Sequence, residues 1–589
     1  MKINHEDKKI IIRILSLFKP HIKKVIVILV CMLISAGISM VIPRISQLLM
    51  DKGLLAHDFR LLVIFTLIGL VLLLFDQGFG FMVAKNRIYL NSIISYTLSK
   101  KAFKHTLRMK MQFLNNTNPS ELMSTIGMDV GNIGRICDSS TFYILASIFK
   151  MIGGFIGLLI LDWRLTIMVA IIIPFRYILV KYIAKKRKKY FDEYLKLIKE
   201  YAAFYGDTIA GVKEVKLWGL DRIKIGEFIK KQRKLIIPNI KMGLMDKLNE
   251  FSETVLFQLI IDSIYIVGAY LVFQNSLTVG ELFAFITYST YVTAPISAIL
   301  NIGYNFVNIL PSAKRYFEFM DTEGEPYERK KGMSDFPDKT GKAVIQYEDV
   351  TFSYTDEKQI LNKISFNIYE GEKVAIVGAN GSGKSTIINL LLRFYQPSSG
   401  KILLDGTDIN TMNLREYRKM ISVVNQDMYL FNASIKDNIA LYTGIKELNV
   451  NKAVKECGAG DFIEKLPEKY ETKVGRNGAK VSGGERQKIA LARAIIRDSR
   501  ILALDEATAN YDIESEAAVN KYIMNDLQDK TAIIISHKPD ILKYVDKIIV
   551  LENGSIVDVG KHDGLLGKSG VYKNMLEAHD AFKGKSEAI

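Results

Sequence analysis

Long apolar runs recur through the first half of the chain, at 25–43, 61–84, 141–161, 165–180, 254–273 and 278–300, beginning with VIVILVCMLISAGISMVIP. Each is near the ~20 residues needed to cross ~30 Å of hydrocarbon. One such run alone is compatible with a buried core helix; six before residue 310 and none after it predict a bundle of six membrane-spanning helices. Runs three and four are separated only by Asp162-Trp163-Arg164, so a tight turn is expected there. From about residue 321 the texture changes to a polar stretch with Gly and Pro, read as a linker over 321–342. Beyond it, period-2 alternation (AVIQYEDVTFSY, QILNKISFNIYEGEKVAIVGA) gives way to short apolar strands alternating with helical segments, the pattern of an α/β nucleotide-binding domain. The expected organisation is an interfacial helix over 1–24, a membrane domain over 25–320, the linker, an α/β domain over 343–580 and a tail over 581–589.

Composition and charge refine this picture. Apolar residues make up 49% and charged residues 24% of the chain, which requires segregation into apolar spans and charged segments. The net charge of +17 lies largely in the segments between spans two and three and between spans four and five, including KKRKK at 185–189. The connections around 44–60, 162–164 and 274–277 carry few basic residues. The positive-inside bias therefore places both termini and both long segments in the cytoplasm and accounts for the basicity without nucleic acid. Cys31, Cys137 and Cys457 are too scattered for a disulfide framework or a metal site. The start lacks a cleavable signal, and KKIIIRILSLF reads as an amphipathic interfacial helix. Asp76, Lys150, Gln258 and Asp262 sit inside the spans, with Gln258 and Asp262 four apart on one helix face. Such groups are costly in lipid and are expected to line a polar translocation cavity; a purely structural ion pair between Lys150 and Asp262 is the alternative.

Three stretches of the second half carry chemistry. KVAIVGANGSGKST runs from a strand through a glycine loop into a helix, and Gly378 to Ser385 matches G-x-x-x-x-G-K-[ST]. In that pattern Gly378, Asn380, Gly381, Ser382 and Gly383 wrap backbone N–H groups around phosphate, Lys384 reaches the β/γ-phosphates, and Ser385, followed by Thr386, ligates Mg2+. RILALDEAT is an apolar strand ending in two acids. Asp505 is placed to hold Mg2+ through water and Glu506 to polarise the attacking water. TAIIISHK ends a further buried strand in His537, on the same expected sheet edge. A second glycine turn, VSGGERQ at 481–487, opens another helix.

The order Tyr354, P-loop, Gln426, VSGGERQ, ILALDEAT, His537 resembles the nucleotide-binding domain of ATP-binding cassette (ABC) transporters. The whole chain, including PSELMSTIGMDVGNI at 119–133, is similar to an exporter-type half-transporter with a type IV exporter-like membrane domain. The resemblance implies ATP and Mg2+ as cofactors, Tyr354 stacked on adenine, Gln426 sensing Mg2+ and coupling to the bundle, and His537 on the γ-phosphate. It also implies that Ser482, Gly483 and Gly484 complete the ATP site of a second chain, so that ATP joins two half-transporters, as a homodimer or a heterodimer. Val481 and Glu485 replace the family's Leu and Gln, Arg476 stands where Glu is usual, and Ala509-Asn510-Tyr511 departs from the usual SALD, which keeps only Asp512. An acid at 485 is expected to weaken the closed state. The implied activity is ATP-driven export of an amphipathic drug, lipid or peptide by alternating access across a bacterial cytoplasmic membrane. An importer using the same fold or a lipid floppase are the alternatives, and a soluble ATPase acting on nucleic acid is excluded by the spans.

Overall fold

The computed structural model describes residues 5–577 apart from 118, 138, 294, 327–342, 356–357, 427, 442–446, 508–515, 517–518, 521, 523, 525–529 and 537. His537, the Ala509–Asp512 stretch, most of the expected linker and the tail thus lie outside the described residues. Two compact units form, Met1–Leu107 with Pro119–Thr322, and Arg108–Asn118 with Glu323–Ile589.

The first unit is helical: α1 (His5–Ser16), α2 (Ile22–Leu48), α3 (Phe59–Thr106), then, after α4 (Met111–Asn115) of the other unit, α5 (Pro119–Gly134), α6 (Ser139–Leu161), α7 (Trp163–Ala210), α8 (Val212–Leu217), α9 (Asp221–Phe273), α10 (Val279–Thr293) and α11 (Pro295–Asp321). At 1.5 Å per residue the 48-residue α3 and α7 run ~72 Å, more than twice a hydrocarbon core, so both extend well past their apolar spans. The turn expected at Asp162 forms because its carboxylate accepts from Arg164 N (2.7 Å) and Leu165 N (3.1 Å), capping α7 and starting it immediately after α6. Among the described residues five helical stretches are long and apolar enough to cross a membrane. The sixth expected span, 278–300, is helical over Val279–Thr293 (α10) and from Pro295 onward (α11), residue 294 between them lying outside the described residues. Two cores hold the unit: Ile28, Leu90, Ile94, Leu98 and Ala313 join α2, α3 and α11, while Leu158, Leu165, Val169, Ile264 and Phe285 join α6, α7, α9 and α10.

The second unit has two sheets. β1 (Ile345–Thr355), β2 (Lys358–Ile368), β4 (Ser399–Leu404) and β5 (Thr407–Asp408) form an antiparallel sheet in the order β2-β1-β4-β5. β3 (Lys373–Val377), β6 (Ile421–Val424), β7 (Ile501–Asp505), β8 (Thr531–Ile535), β9 (Lys547–Glu552) and β10 (Ser555–Gly560) form the other, ordered β10-β9-β3-β8-β7-β6. β3, β7 and β8 are buried along their whole lengths, as a parallel sheet covered on both faces requires. Their side chains alternate between two cores: Val374, Ile376, Ile501 and Ala503 face β1, β2 and α12 (Lys384–Leu391), whereas Ala375, Val377, Leu502 and Leu504 face the opposite core. That opposite layer follows α13 (Leu414–Lys419) and contains α14 (Ile435–Ala440), α15 (Glu447–Glu456), α16 (Gly460–Glu464) and α17 (Gly483–Ile496).

The boundary of this unit differs from the sequence expectation. Residues 323–326, read as linker, pair with the loop that carries α4: Met109 bridges Gly324, Glu325 N donates to Arg108 O at 2.6 Å, and Lys110 pairs with Glu323. Glu325 receives two parallel 2.8 Å hydrogen bonds from Arg418, and Asn115 donates to the Tyr395 hydroxyl at 2.7 Å. A charged residue in a polar stretch looks solvent-bound from sequence, but both partners of the Glu325–Arg418 pair are largely buried.

Candidate functional site

The parallel register of β6, β7, β8 and β3 brings their carboxyl ends to one sheet edge, where ligands of open α/β sheets bind. The P-loop follows β3 there. Gly383 caps α12 at φ +104°, and a Cβ on it would stand 2.6 Å from Leu361 Cδ2. A Cβ on Gly378 would meet Leu551 O at 2.1 Å, so only glycine fits either position. Ser382 is buried, and its hydroxyl has no hydrogen-bond partner among the described residues. A buried orphan hydroxyl in a glycine cradle at a helix N-terminus fits a phosphate oxygen. Lys384 is folded onto the loop, donating to Gly378 O (2.8 Å) and Ala379 O (2.9 Å). Burial pushes its ammonium pKa down, opposed by the charges of Glu506 and Asp505. Ser385 is exposed at the start of α12 and Thr386 is buried.

Asp505 ends β7 and is buried; Glu506 follows with φ +49°, a left-handed backbone uncommon outside glycine, with its N–H held by Ile535 O at 3.0 Å. Gln426, just past β6, donates through Nε2 to Glu506 Oε2 at 2.7 Å. The carboxamide and the carboxylate picked out separately in the sequence are therefore bonded to one another. Tyr354 presents a partly exposed ring, and its hydroxyl lies 3.2 Å from Thr386 Oγ1. Two residues not picked out in the sequence, Phe352 and Tyr395, pack edge-on against it at centroid distances of 4.8 and 4.9 Å.

The second glycine turn is a helix cap. Ser482 Oγ accepts from Glu485 N (3.3 Å) and Glu485 Oε2 accepts from Ser482 N (2.7 Å), a reciprocal capping box opening α17. The acid at 485 thus lies back on its own helix terminus, where the helix dipole favours it. Val481 packs against the helical core, which makes its difference from leucine a matter of packing. Among the described residues no hydrogen bond joins Ser482, Gly483 or Gly484 to the P-loop of the same chain.

Among the described residues no hydrogen bond or ion pair joins all four intra-span polar residues. Asp76 accepts from Ser35, Gln258 donates to Asp262 at 2.9 Å on an exposed face of α9, and among the described residues no ion pair joins Lys150 to Asp262. Sequence reading missed Arg176, in the fourth apolar run. It is 5% exposed and donates to Ser252 Oγ (2.7 Å) and Glu253 Oε2 (2.7 Å) beside a cavity of about 410 Å3. An arginine two and a half turns before KKRKK looks like part of the basic flank; only the packing of α7 on α9 reveals it as a buried charge.

A bundle of membrane-length helices continuous with a P-loop α/β domain defines an ATP-dependent membrane protein. The family comparisons agree: residues 25–296 match the ABC transporter transmembrane region and 361–509 match the ABC transporter domain. The chain is 30% identical over 492 residues, 82% of its length and 80% of the relative's, to the uncharacterized ABC transporter ATP-binding protein YfiC of Bacillus subtilis. It is also 30% identical over 570 residues, 96% of each chain, to the ATP-dependent lipid A-core flippase of Alcanivorax borkumensis. Its fold is that of a bacterial Atm1-family ABC exporter solved with ATP bound, at TM-score 0.82 and 24% identity, over 95% of this chain and 99% of that one. The chain belongs to the ABC transporters: it is an integral membrane protein of the half-transporter type whose cassette binds and hydrolyses ATP.

Proposed function

We propose that the protein is an ATP-driven exporter of an amphipathic substrate, working as a pair of half-transporters with both cassettes in the cytoplasm. The observation that carries this reading is the single sheet edge at which the P-loop, Asp505, Glu506 and Gln426 converge, while among the described residues no hydrogen bond ties the second glycine turn of the same chain to the P-loop. Lys384, Ser382 and the P-loop amides hold the triphosphate, and Tyr354 backs the adenine. Mg2+, held by Ser385, Gln426 and Asp505, supplies charge neutralisation on the phosphate oxygens. Glu506 orients and deprotonates the attacking water, and His537 contacts the γ-phosphate. Ser482, Gly483 and Gly484 at the positive end of α17 close the site of the second chain, either a copy of this one or a different half-transporter. Gln426 holds the Glu506 carboxylate; were Gln426 to turn to Mg2+ when the ion is bound, that carboxylate would be released to the attacking water, and hydrolysis would be tied to cassette closure. Outward movement of lipid or another amphiphile suits the relatives named as lipid A-core flippases.

Glu506→Gln tests this assignment. The variant is expected to bind ATP, lose at least ~100-fold in hydrolysis on the scale of a lost general base, and accumulate as an ATP-bound dimer. Turnover near the wild-type rate would overturn the role given to Glu506. ATP-dependent accumulation of an amphipathic probe in inside-out vesicles reads direction, and accumulation only in right-side-out vesicles would reverse it.

A further inference from the structure

Three aromatic rings meet beside the helix that follows the P-loop. Tyr354 is packed edge-on by Phe352 at 4.8 Å and by Tyr395 at 4.9 Å, with ring planes at 85° and 90°, and Phe352 and Tyr395 lie 5.7 Å apart. Edge-on pairs at such distances are favoured by the ring quadrupole, so each ring helps to fix the angle of the next. The Tyr354 hydroxyl lies 3.2 Å from Thr386 Oγ1 and accepts from Asn389 Nδ2 at 3.4 Å, both on α12. The tip of the side chain is thus tied to α12, while the angle of the ring is left to its aromatic neighbours.

Those neighbours are held differently. Phe352 is buried and projects from β1, so the sheet sets its place. Tyr395 lies between α12 and β4, is only partly buried, and with Tyr354 borders a cavity of about 210 Å3 that Lys110 and Gln112 also line. A ring beside open space lacks the close packing that fixes one orientation in a core. What fixes it here is Asn115 of α4, whose Nδ2 donates to the Tyr395 hydroxyl at 2.7 Å. Residue 115 is 280 positions away in sequence, yet Arg108–Asn118 belongs to the same compact unit as the cassette.

We propose that Asn115 and Tyr395 are positioning residues for recognition of the nucleotide base: Asn115 holds the Tyr395 hydroxyl, and Tyr395 holds the Tyr354 ring at the angle at which it stacks on adenine. Among the described residues neither bonds to the P-loop, so the effect falls on the base and not on the phosphates. The proposal rests on the reading of Tyr354 as the base-stacking residue and extends it to a residue from the segment between two membrane spans.

The experiment titrates the full chain in nanodiscs, with EDTA to prevent hydrolysis, against ATP and against inorganic tripolyphosphate by calorimetry. Tyr395→Ala is expected to weaken ATP about three- to tenfold, the scale of a lost aromatic pair, and to leave tripolyphosphate unchanged. Asn115→Ala and Tyr395→Phe, which keeps the ring but not the bond, each weaken ATP about threefold, the scale of one hydrogen bond. Combined, they do no more than either alone, because both remove the same bond. Tyr354→Ala is the control and should weaken ATP at least as much as Tyr395→Ala. Wild-type ATP affinity in Tyr354→Ala would overturn the stacking reading and this proposal with it. A loss in Tyr354→Ala beside wild-type affinity in folded Tyr395→Ala or Asn115→Ala would overturn this proposal alone, as would equal loss of ATP and tripolyphosphate or multiplying losses in the double variant. Thermal unfolding reports whether each variant is folded; if Tyr395→Ala is not, Tyr395→Phe and Asn115→Ala decide.

Discussion

Replacing Glu485 by alanine and by glutamine separates what its carboxylate does for α17 from what its charge does at the cassette surface. The wild-type capping box has two hydrogen bonds, a charge-assisted one at 2.7 Å from Ser482 N and a weaker one at 3.3 Å into Ser482 Oγ. Alanine removes the first outright, and loss of a cap interaction costs about 1 kcal/mol. It also removes the favourable interaction of an acid with the helix N-terminus, worth ~0.3–1 kcal/mol at a partly exposed site. Glutamine keeps an acceptor at the third helical position and loses only the second contribution. Glu485→Ala should therefore lower cassette stability by ~1.5 kcal/mol and Glu485→Gln by ~0.5 kcal/mol. For a domain of 150–250 residues, 1 kcal/mol moves the unfolding midpoint by about 2–4 °C, so shifts of ~3–6 °C and ~1–2 °C are expected by scanning calorimetry of nucleotide-free protein. ATP-induced pairing moves the other way: Glu485→Gln, with one negative charge fewer near the composite site, pairs at lower ATP concentration than wild type. Equal midpoints for the two variants would refute the capping role, and unchanged ATP dependence in Glu485→Gln would remove the charge argument.

Glu325→Ala leaves the largely buried Arg418 guanidinium without its carboxylate and is expected to cost about 3 kcal/mol, the low end for a broken buried pair because Leu392 O still accepts from Arg418 Nε at 3.0 Å. The double variant Glu325→Leu with Arg418→Met should recover most of that loss in the same calorimetric transition, and no recovery would contradict the pair account. Gly383→Ala forces a side chain into φ +104° and against Leu361, a strain of ~1–3 kcal/mol that should weaken ATP binding about fivefold or more; wild-type affinity by calorimetry would count against the cradle geometry.

The parts of the site that were legible in the sequence are those carried by contiguous residues. Gly378–Ser385, Asp505–Glu506 and Ser482–Gly484 are each one turn joined to one strand or helix, so local spacing specifies them. The membrane spans were legible for the same reason, since hydropathy is a property of a run. Contacts between residues distant in sequence were not legible. Gln426 and Glu506 are 80 residues apart, Glu325 and Arg418 are 93, and Asn115 and Tyr395 are 280, and nothing in composition marks one as the partner of another. Arg176 was hidden by its proximity to a basic cluster, and the acid at 485 read as a liability because its acceptor role exists only once α17 has formed.

The central claim is that the P-loop of one chain and the Ser482 turn of another build a single ATP site. Differently tagged chains carrying Lys384→Ala and Ser482→Arg are purified as mixed dimers and as each parent dimer, and their ATP hydrolysis is compared. In the mixed dimer one site combines intact Lys384 with intact Ser482 and the other has lost both, whereas every site of either parent has lost one. The account predicts hydrolysis in the mixed dimer at least ~10-fold above both parents, the scale of a single ~1.4 kcal/mol interaction with the reacting phosphates. A mixed dimer no more active than the parents would contradict it.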